Sequence, residues 1–143
     1  MIARLKDGTD LEPIDKLRVL LIIDHLGSGG AQVFTRYLAR ELLEHSFDIT
    51  ICALRPAPDA DTPLGIKNIT LSYARYNIFK LLPLIRLIGK ERFQIVHTHL
   101  FASSFLGTIA ARVTRVPIVV CHDHSGREIY NQHPLFGHFI LRP

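Results

Sequence analysis

Residues 18–32 read RVLLIIDHLGSGGAQ, an apolar run from Arg18 to Asp24 that breaks at Gly27, Gly29 and Gly30 and passes directly into a helical pattern. A run so nearly continuous in Val, Leu and Ile predicts a strand buried on both faces, as in parallel sheets. From Gly30 to about His45 the apolar residues Phe34, Leu38 and Leu42, with Val33 and Tyr37 beside them, recur at helical spacing. Strand, glycine turn and helix in this order make the opening unit of an α/β sheet. The question is what lies on the turn.

The alternation continues along the chain. Phe47 to Leu54 predicts a second strand, with Ile49 and Ile51 alternating with Asp48 and Thr50, and RPAPDADTP after it reads as a loop. IKNITLSY predicts a short third strand, and Asn77 to Lys90 a helix interrupted or restarted at Pro83. A fourth strand follows at FQIVHTH, a helix over FASSFLGTIAARVTR, a fifth strand at PIVVCHDH, and the start of another helix at PLFGHFILRP. The fold class expected is α/β: a doubly wound, mainly parallel Rossmann-like sheet with helices on both faces. Such sheets bind ligands beyond the carboxyl ends of their strands, which singles out the turns after Ile23, Val96 and Val120.

Composition sets the outer bounds. A chain of 143 residues, 48% hydrophobic and 21% charged, is one globular domain and short for a complete two-substrate enzyme. Cys52 and Cys121 both fall in apolar runs and read as buried thiols of a reducing compartment. Residues 1–16 lack the apolar core of a signal peptide and read as a flexible, solvated leader. The greasiest stretch, IFKLLPLIRLIG, is broken by Lys80, Pro83 and Arg86, so a soluble, cytoplasmic protein is expected. A net charge of +4 favours anionic partners, but the scattered Lys and Arg residues give no nucleic-acid footprint.

The glycine turn fits neither standard nucleotide motif. Gly27 and Gly29 satisfy the first two positions of G-x-G-x-x-G, but the third falls on Gln32, and the second strand ends Leu54-Arg55 without a ribose-binding acid. A P-loop would need Lys followed by Ser or Thr after its last glycine, and GGAQV has neither. What remains is physical: Gly29 and Gly30 leave helix-start amides open to an anion, or simply make a tight turn.

His97 and His99 form VHTH, and His122 and His124 form CHDH, each at the carboxyl end of a predicted strand. Spacing of two puts each pair on one side of its strand. If the first, fourth and fifth strands are neighbours, both pairs open onto the crevice of the glycine turn. Three readings stay open: a metal site with Asp123 as an oxygen ligand, imidazoles bonded to backbone, and substrate handling.

Taken jointly, GSGGAQVFTRYLARELLEHSFDITI, FQIVHTHLFASSFLGTIAARVTRVPIVV and CHDHSG, spanning about residues 17 to 126, carry a resemblance. The chain resembles the N-terminal domain of the retaining GT-B glycosyltransferases of family 4, the "group 1" sugar transferases. The resemblance implies transfer of a sugar from a nucleotide diphosphate sugar to an acceptor hydroxyl with retention, with the nucleotide sugar as co-substrate, no further cofactor and no required metal. It implies that Gly27, Gly29 and Gly30 lie beside the donor diphosphate. It sets His124 against the transferred sugar, with His122 in the Thr position of a Thr-x-His-like element, and His99 in the acceptor-side crevice. Where the family has an acid after Gly-Gly-Ala, this chain has the amide Gln32.

The resemblance also implies a second Rossmann-like domain holding most of the donor. Residues 17–143 are accordingly expected to be a truncated acceptor-side domain, with the donor-binding domain absent and no turnover alone. In NIFKLLPLIRLIGKERF, Phe79 and Leu87 fall on the helix side of Lys80, Arg86 and Lys90. That side is either a peripheral contact with the inner membrane face, where lipid-linked acceptors lie, or a core helix with snorkelling cations. The rival readings are a stand-alone, non-catalytic Rossmann-like binding module and part of a nucleotide-sugar epimerase.

Overall fold

Apolar runs flanked by helices on both sides pair in parallel, because each crossover helix returns the chain to the same end of the sheet. The computed structural model describes residues 16–71 and 81–124. Its strands are β1 (Arg18–Ile23), β2 (Asp48–Ala53), β3 (Lys67–Thr70), β4 (Ile95–His99) and β5 (Ile118–His122). They form one sheet in the order β3-β2-β1-β4-β5, with every pairing parallel. The helices are α1 (Gly30–Glu44), α2 (Leu81–Glu91) and α3 (Phe101–Val113). The chain is therefore a Rossmann-like α/β domain, and its strand order reverses between β1 and β4. That reversal is the switch point at which such sheets open a crevice at their carboxyl edge.

Alternation along β1 divides the core in two. Val19, Leu21 and Ile23 join Ile49, Ile51, Ala53, Ala31 and Ala39 beneath α1. Leu20 and Ile22 join Cys52, Leu54, Val96, Leu84, Ile88, Ala110 and Ala111 beneath α2 and α3. Burial on both faces also explains Thr50, only 2% exposed although the pattern of β2 placed it among outward polar residues. Within α3, a Cβ on Gly107 would stand 2.5 Å from Thr98 Cγ2 and 3.0 Å from Ile22 Cδ1, so the missing side chain lets the helix sit directly on β1 and β4.

Several expectations need correction. The stripe of α1 that meets the sheet is Ala31, Gln32, Thr35 and Ala39. Leu38 and Leu42 are half-buried at its margin, whereas Phe34, Val33 and Tyr37 remain exposed. Small side chains let the helix backbone approach β1 and β2, which pushes the large ones to the flanks. Cys52 is buried, and its thiol is pushed up to about 12 by that burial. Cys121 is exposed instead, on β5, which among the described residues is the end strand of the sheet. Pro83 is the third residue of described α2, and the part of the expected helix before it, from Asn77 to Lys80, lies outside the described residues. Leu84 and Ile88 bury α2 in the core, with Leu87 packed against it, leaving Leu82, Arg86 and Lys90 exposed. Phe79 and Lys80, the 1–15 leader and the expected last helix lie outside the described residues. Among the described residues no helix is long and apolar enough to cross a membrane.

Candidate functional site

The crevice is built from the ends of three neighbouring strands. β1 ends at Ile23, whose register partner on β4 is His99, and His99 in turn partners His122 on β5. In-register residues on parallel neighbours project to the same face, and the period of two along β4 adds His97. The rings of His97 and His99 stack at 4.3 Å between centroids, and those of His122 and His124 at 4.2 Å. Both pairs thus meet on the α1 face of the sheet, as the spacing of VHTH and CHDH predicts. His99 Nδ1 lies 3.2 Å from His124 Nε2, a hydrogen bond between the two pairs.

Phe34, one of the apolar residues at helical spacing, borders the candidate site. From the first turns of α1 its ring reaches His122, His124 and His99, with centroids 4.8, 5.3 and 6.0 Å away. It seats α1, which starts at the glycine turn, against the imidazoles. The signal was present as an aromatic one turn past the glycines, but core periodicity absorbed it.

The turn itself is tightly held. Gly29 sits at φ +144°, a conformation L side chains rarely adopt, and a Cβ there would meet Gln32 Oε1 at 2.2 Å. Gln32 folds back over it, its Nε2 3.2 Å from His25 Nε2. The amide of Gly27 donates to His25 Nδ1 at 3.1 Å. Arg36 donates to the Leu26 carbonyl at 3.1 Å. The start of α1, at Gly29 and Gly30, receives no side-chain cap and carries no acid in its first turn, which leaves the positive end of the helix dipole uncompensated there.

An oxyanion already lies on this turn. The Asp59 carboxylate, from the loop after β2, accepts hydrogen bonds from the Ser28 amide at 2.8 Å and from the Ser28 hydroxyl. Those bonds hold its carboxyl below the usual carboxylate range. Sequence reading passed over Asp59 because a loop acid thirty-one residues away carries no local signature. Arg55, where a ribose-binding acid would stand, instead pairs with Asp24 at 2.9 Å.

The electrostatics of the four rings follow from burial. His99 is 0% exposed, and burial, reinforced by His97, His124 and His122, lowers its pKa to about 3. Burial, with His122 and His124, lowers that of His97 to about 4. His124 is lowered in the same way, with Asp123 opposing. Neutral at pH 7, His97 and His99 offer one N–H donor and one lone pair each and no positive charge.

At the opposite, amino-terminal edge, a groove of about 460 Å³ is lined by Lys16, Arg18, Leu43, Phe47, Asp48 and Gln94. Its guanidinium is spent on structure: Arg18 pairs with Asp48 at 3.1 Å and Glu91 at 2.6 Å. The candidate site is therefore the crevice at the carboxyl edge.

Residues 28–143, including Gly29, Gly30 and the histidine-bearing strand ends, match the profile of Glycosyltransferase Family 4. The chain belongs to that family. Over an alignment 96 positions long, which takes in 59% of this chain, it is 35% identical to UDP-Gal:alpha-D-GlcNAc-diphosphoundecaprenol alpha-1,3-galactosyltransferase of Escherichia coli, 24% of which is covered. In three dimensions this family 4 domain is similar to sucrose-phosphate synthase from Thermosynechococcus elongatus, with TM-score 0.59, 15% identity, and 81% of this chain but 35% of that one covered. It is similar to UDP-GlcNAc 2-epimerase from Methanocaldococcus jannaschii, with TM-score 0.60 and 14% identity over 82% of this chain and 34% of that one. It is also similar to a glycosyltransferase from Rickettsia africae ESF-5, with TM-score 0.53 and 17% identity over 86% of this chain and 35% of that one. The chain spans about a quarter to a third of these proteins. At such identities the structural likeness establishes the Rossmann-like fold alone, while the family match is to glycosyltransferases.

Proposed function

We propose that this domain forms one wall of the active site of an enzyme that moves a sugar from a nucleotide diphosphate sugar to an acceptor hydroxyl, with retention at the anomeric carbon. The observation that carries the reading is the gathering of the histidine cluster, with Phe34 of the helix that starts at the glycine turn against it, at the switch point of a family 4 sheet. Gly27, Gly29 and Gly30 take the donor diphosphate, whose departing negative charge the uncapped α1 amides stabilise. His122 flanks the donor. His124 hydrogen-bonds a hydroxyl of the transferred sugar, and His99, acting through a neutral ring, fixes His124 and shapes the acceptor pocket. No metal takes part in the chemical step, because amides and neutral donors meet the developing charge.

The Escherichia coli relative acts, by its name, on a lipid-diphosphate-linked sugar. We extend that acceptor class to this protein. Exposed Leu82, Arg86 and Lys90 on α2 then give peripheral contact with an anionic membrane. Donor binding by residues 16–124 alone is weak, since this half of the cleft does not exclude water by itself.

The test is transfer of radiolabelled galactose from UDP-galactose to a GlcNAc-diphospholipid by the complete protein, beside its His124→Ala variant. Product retaining the anomeric configuration, and lost in the variant, supports the reading. Hydrolysis or epimerisation of the donor without transfer refutes it.

A further inference from the structure

We propose that His97, His99 and His122 form a site for one borderline divalent transition-metal ion of the Zn²⁺ class, at the β4–β5 edge beneath Phe34. The site shares His99 and His122 with the crevice proposed above, but it is argued from the imidazole geometry alone and stands or falls without that reading.

One ring nitrogen from each of these three residues lies within 4.8 Å of the others. Among the described residues, two of the rings carry a nitrogen without a hydrogen-bond partner: Nε2 of His97 and Nε2 of His99, both buried. His99 is itself 0% exposed. A buried lone pair without a donor costs on the order of 1–3 kcal/mol, and such groups cluster where a water or an ion is bound. Three convergent imidazoles favour the ion, because Zn²⁺ accepts all three lone pairs at once. A tetrahedral ion with Zn–N bonds of about 2.0–2.1 Å needs nitrogens about 3.4 Å apart. From a spread of up to 4.8 Å the nitrogens have to close by as much as about 1.4 Å, and the rings of His97 and His99, stacked at 28°, have to turn relative to each other to present both lone pairs to one ion.

The surroundings match a metal site in a second respect. Histidine ligands commonly use their other ring nitrogen in a hydrogen bond that fixes the tautomer. His99 does so through Nδ1, which lies 3.2 Å from His124 Nε2. With Nδ1 donating that proton, Nε2 is left with its lone pair. An all-imidazole set selects Zn²⁺, Co²⁺, Ni²⁺ or Cu²⁺ and rejects Mg²⁺ and Ca²⁺, which require oxygen ligands. Three protein ligands leave a fourth position for water. Because His99 and His122 are register partners on adjacent strands, the ion also staples β4 to β5.

The tag-free chain, treated with chelator and dialysed, is titrated with CoCl₂ while the visible d–d bands of the ion are followed. The expected result is one tetrahedral Co²⁺ per chain, displaced by Zn²⁺ but not by Mg²⁺, with a raised thermal midpoint. His122→Gln, at a half-exposed position, weakens binding at least about 100-fold, given that even outer-shell partners carry about 10–100-fold. His97→Gln does the same, and His45→Gln, at the far end of α1, leaves binding unchanged. Absence of Co²⁺ binding up to millimolar concentration overturns the proposal. So does binding that persists at wild-type strength in folded His122→Gln and His97→Gln.

Discussion

His99 at the end of β4 is the register partner of His122 at the end of β5, and their ring centroids lie 5.7 Å apart. Parallel pairing in this register gathers the two His-x-His segments, more than twenty residues apart in sequence, on one face beside the glycine turn. If that gathering builds a sugar site, trimming its polar end must cost turnover and leave the fold intact. His124→Ala in the complete protein is expected to lower the transfer rate by about 10²-fold, the scale of one lost transition-state hydrogen bond. The thermal midpoint should stay near wild type, because His124 is half-exposed. Steady-state kinetics beside thermal unfolding separates the two effects.

Burial of His97 and His99 makes stability depend on pH with a definite sign. Their folded pKa values, about 4 and about 3, lie below the ordinary 6.5. Below about pH 6.5 the unfolded chain takes up protons that the folded chain refuses, so stability declines as pH falls toward 3–4 and is fully present above 6.5. Thermal midpoints of chelator-treated protein between pH 8 and pH 4 check this. A His97→Gln, His99→Gln double variant is expected to flatten the profile.

Asp59 occupies the Ser28 amide that an incoming phosphate oxygen would use. Its removal is expected to tighten the binding of UDP or pyrophosphate by about 3–10-fold, the loss of one competing charge-assisted bond net of a looser loop. Calorimetric titration of Asp59→Ala tests this. Unchanged or weaker binding would mean that the carboxylate braces the turn and does not compete for it.

Gly107 gives a prediction opposite to helix propensity. Alanine in a helix interior ordinarily gains up to about 1 kcal/mol over glycine. Here the new Cβ would stand 2.5 Å from Thr98 Cγ2, so Gly107→Ala is expected to destabilise by about 1–3 kcal/mol through overpacking. Denaturant unfolding reads the sign directly.

The residues that sequence reading caught and those it missed divide along a physical line. The order of strands and helices was legible because apolar runs and glycine turns are local, and the α/β class with its crevice followed from them. The histidine pairs were legible because a spacing of two on a strand fixes their side. The place of Phe34 was not legible, because helical periodicity alone does not tell the sheet-facing stripe of Ala31, Thr35 and Ala39 from its bulkier flank. Asp59 and the exposure of Cys121 depend on how a distant loop folds back and which strand ends the described sheet, and neither leaves a mark in the local pattern.

The most direct test of the central claim is a ¹⁵N–¹H NMR titration of the chain with UDP-galactose at millimolar concentration. The account predicts fast-exchange shifts confined to Gly27–Ala31, Phe34, His99 and His122–His124. Shifts at Lys16, Arg18 and Asp48 in the opposite groove, with the glycine turn and the histidine cluster silent, would contradict it.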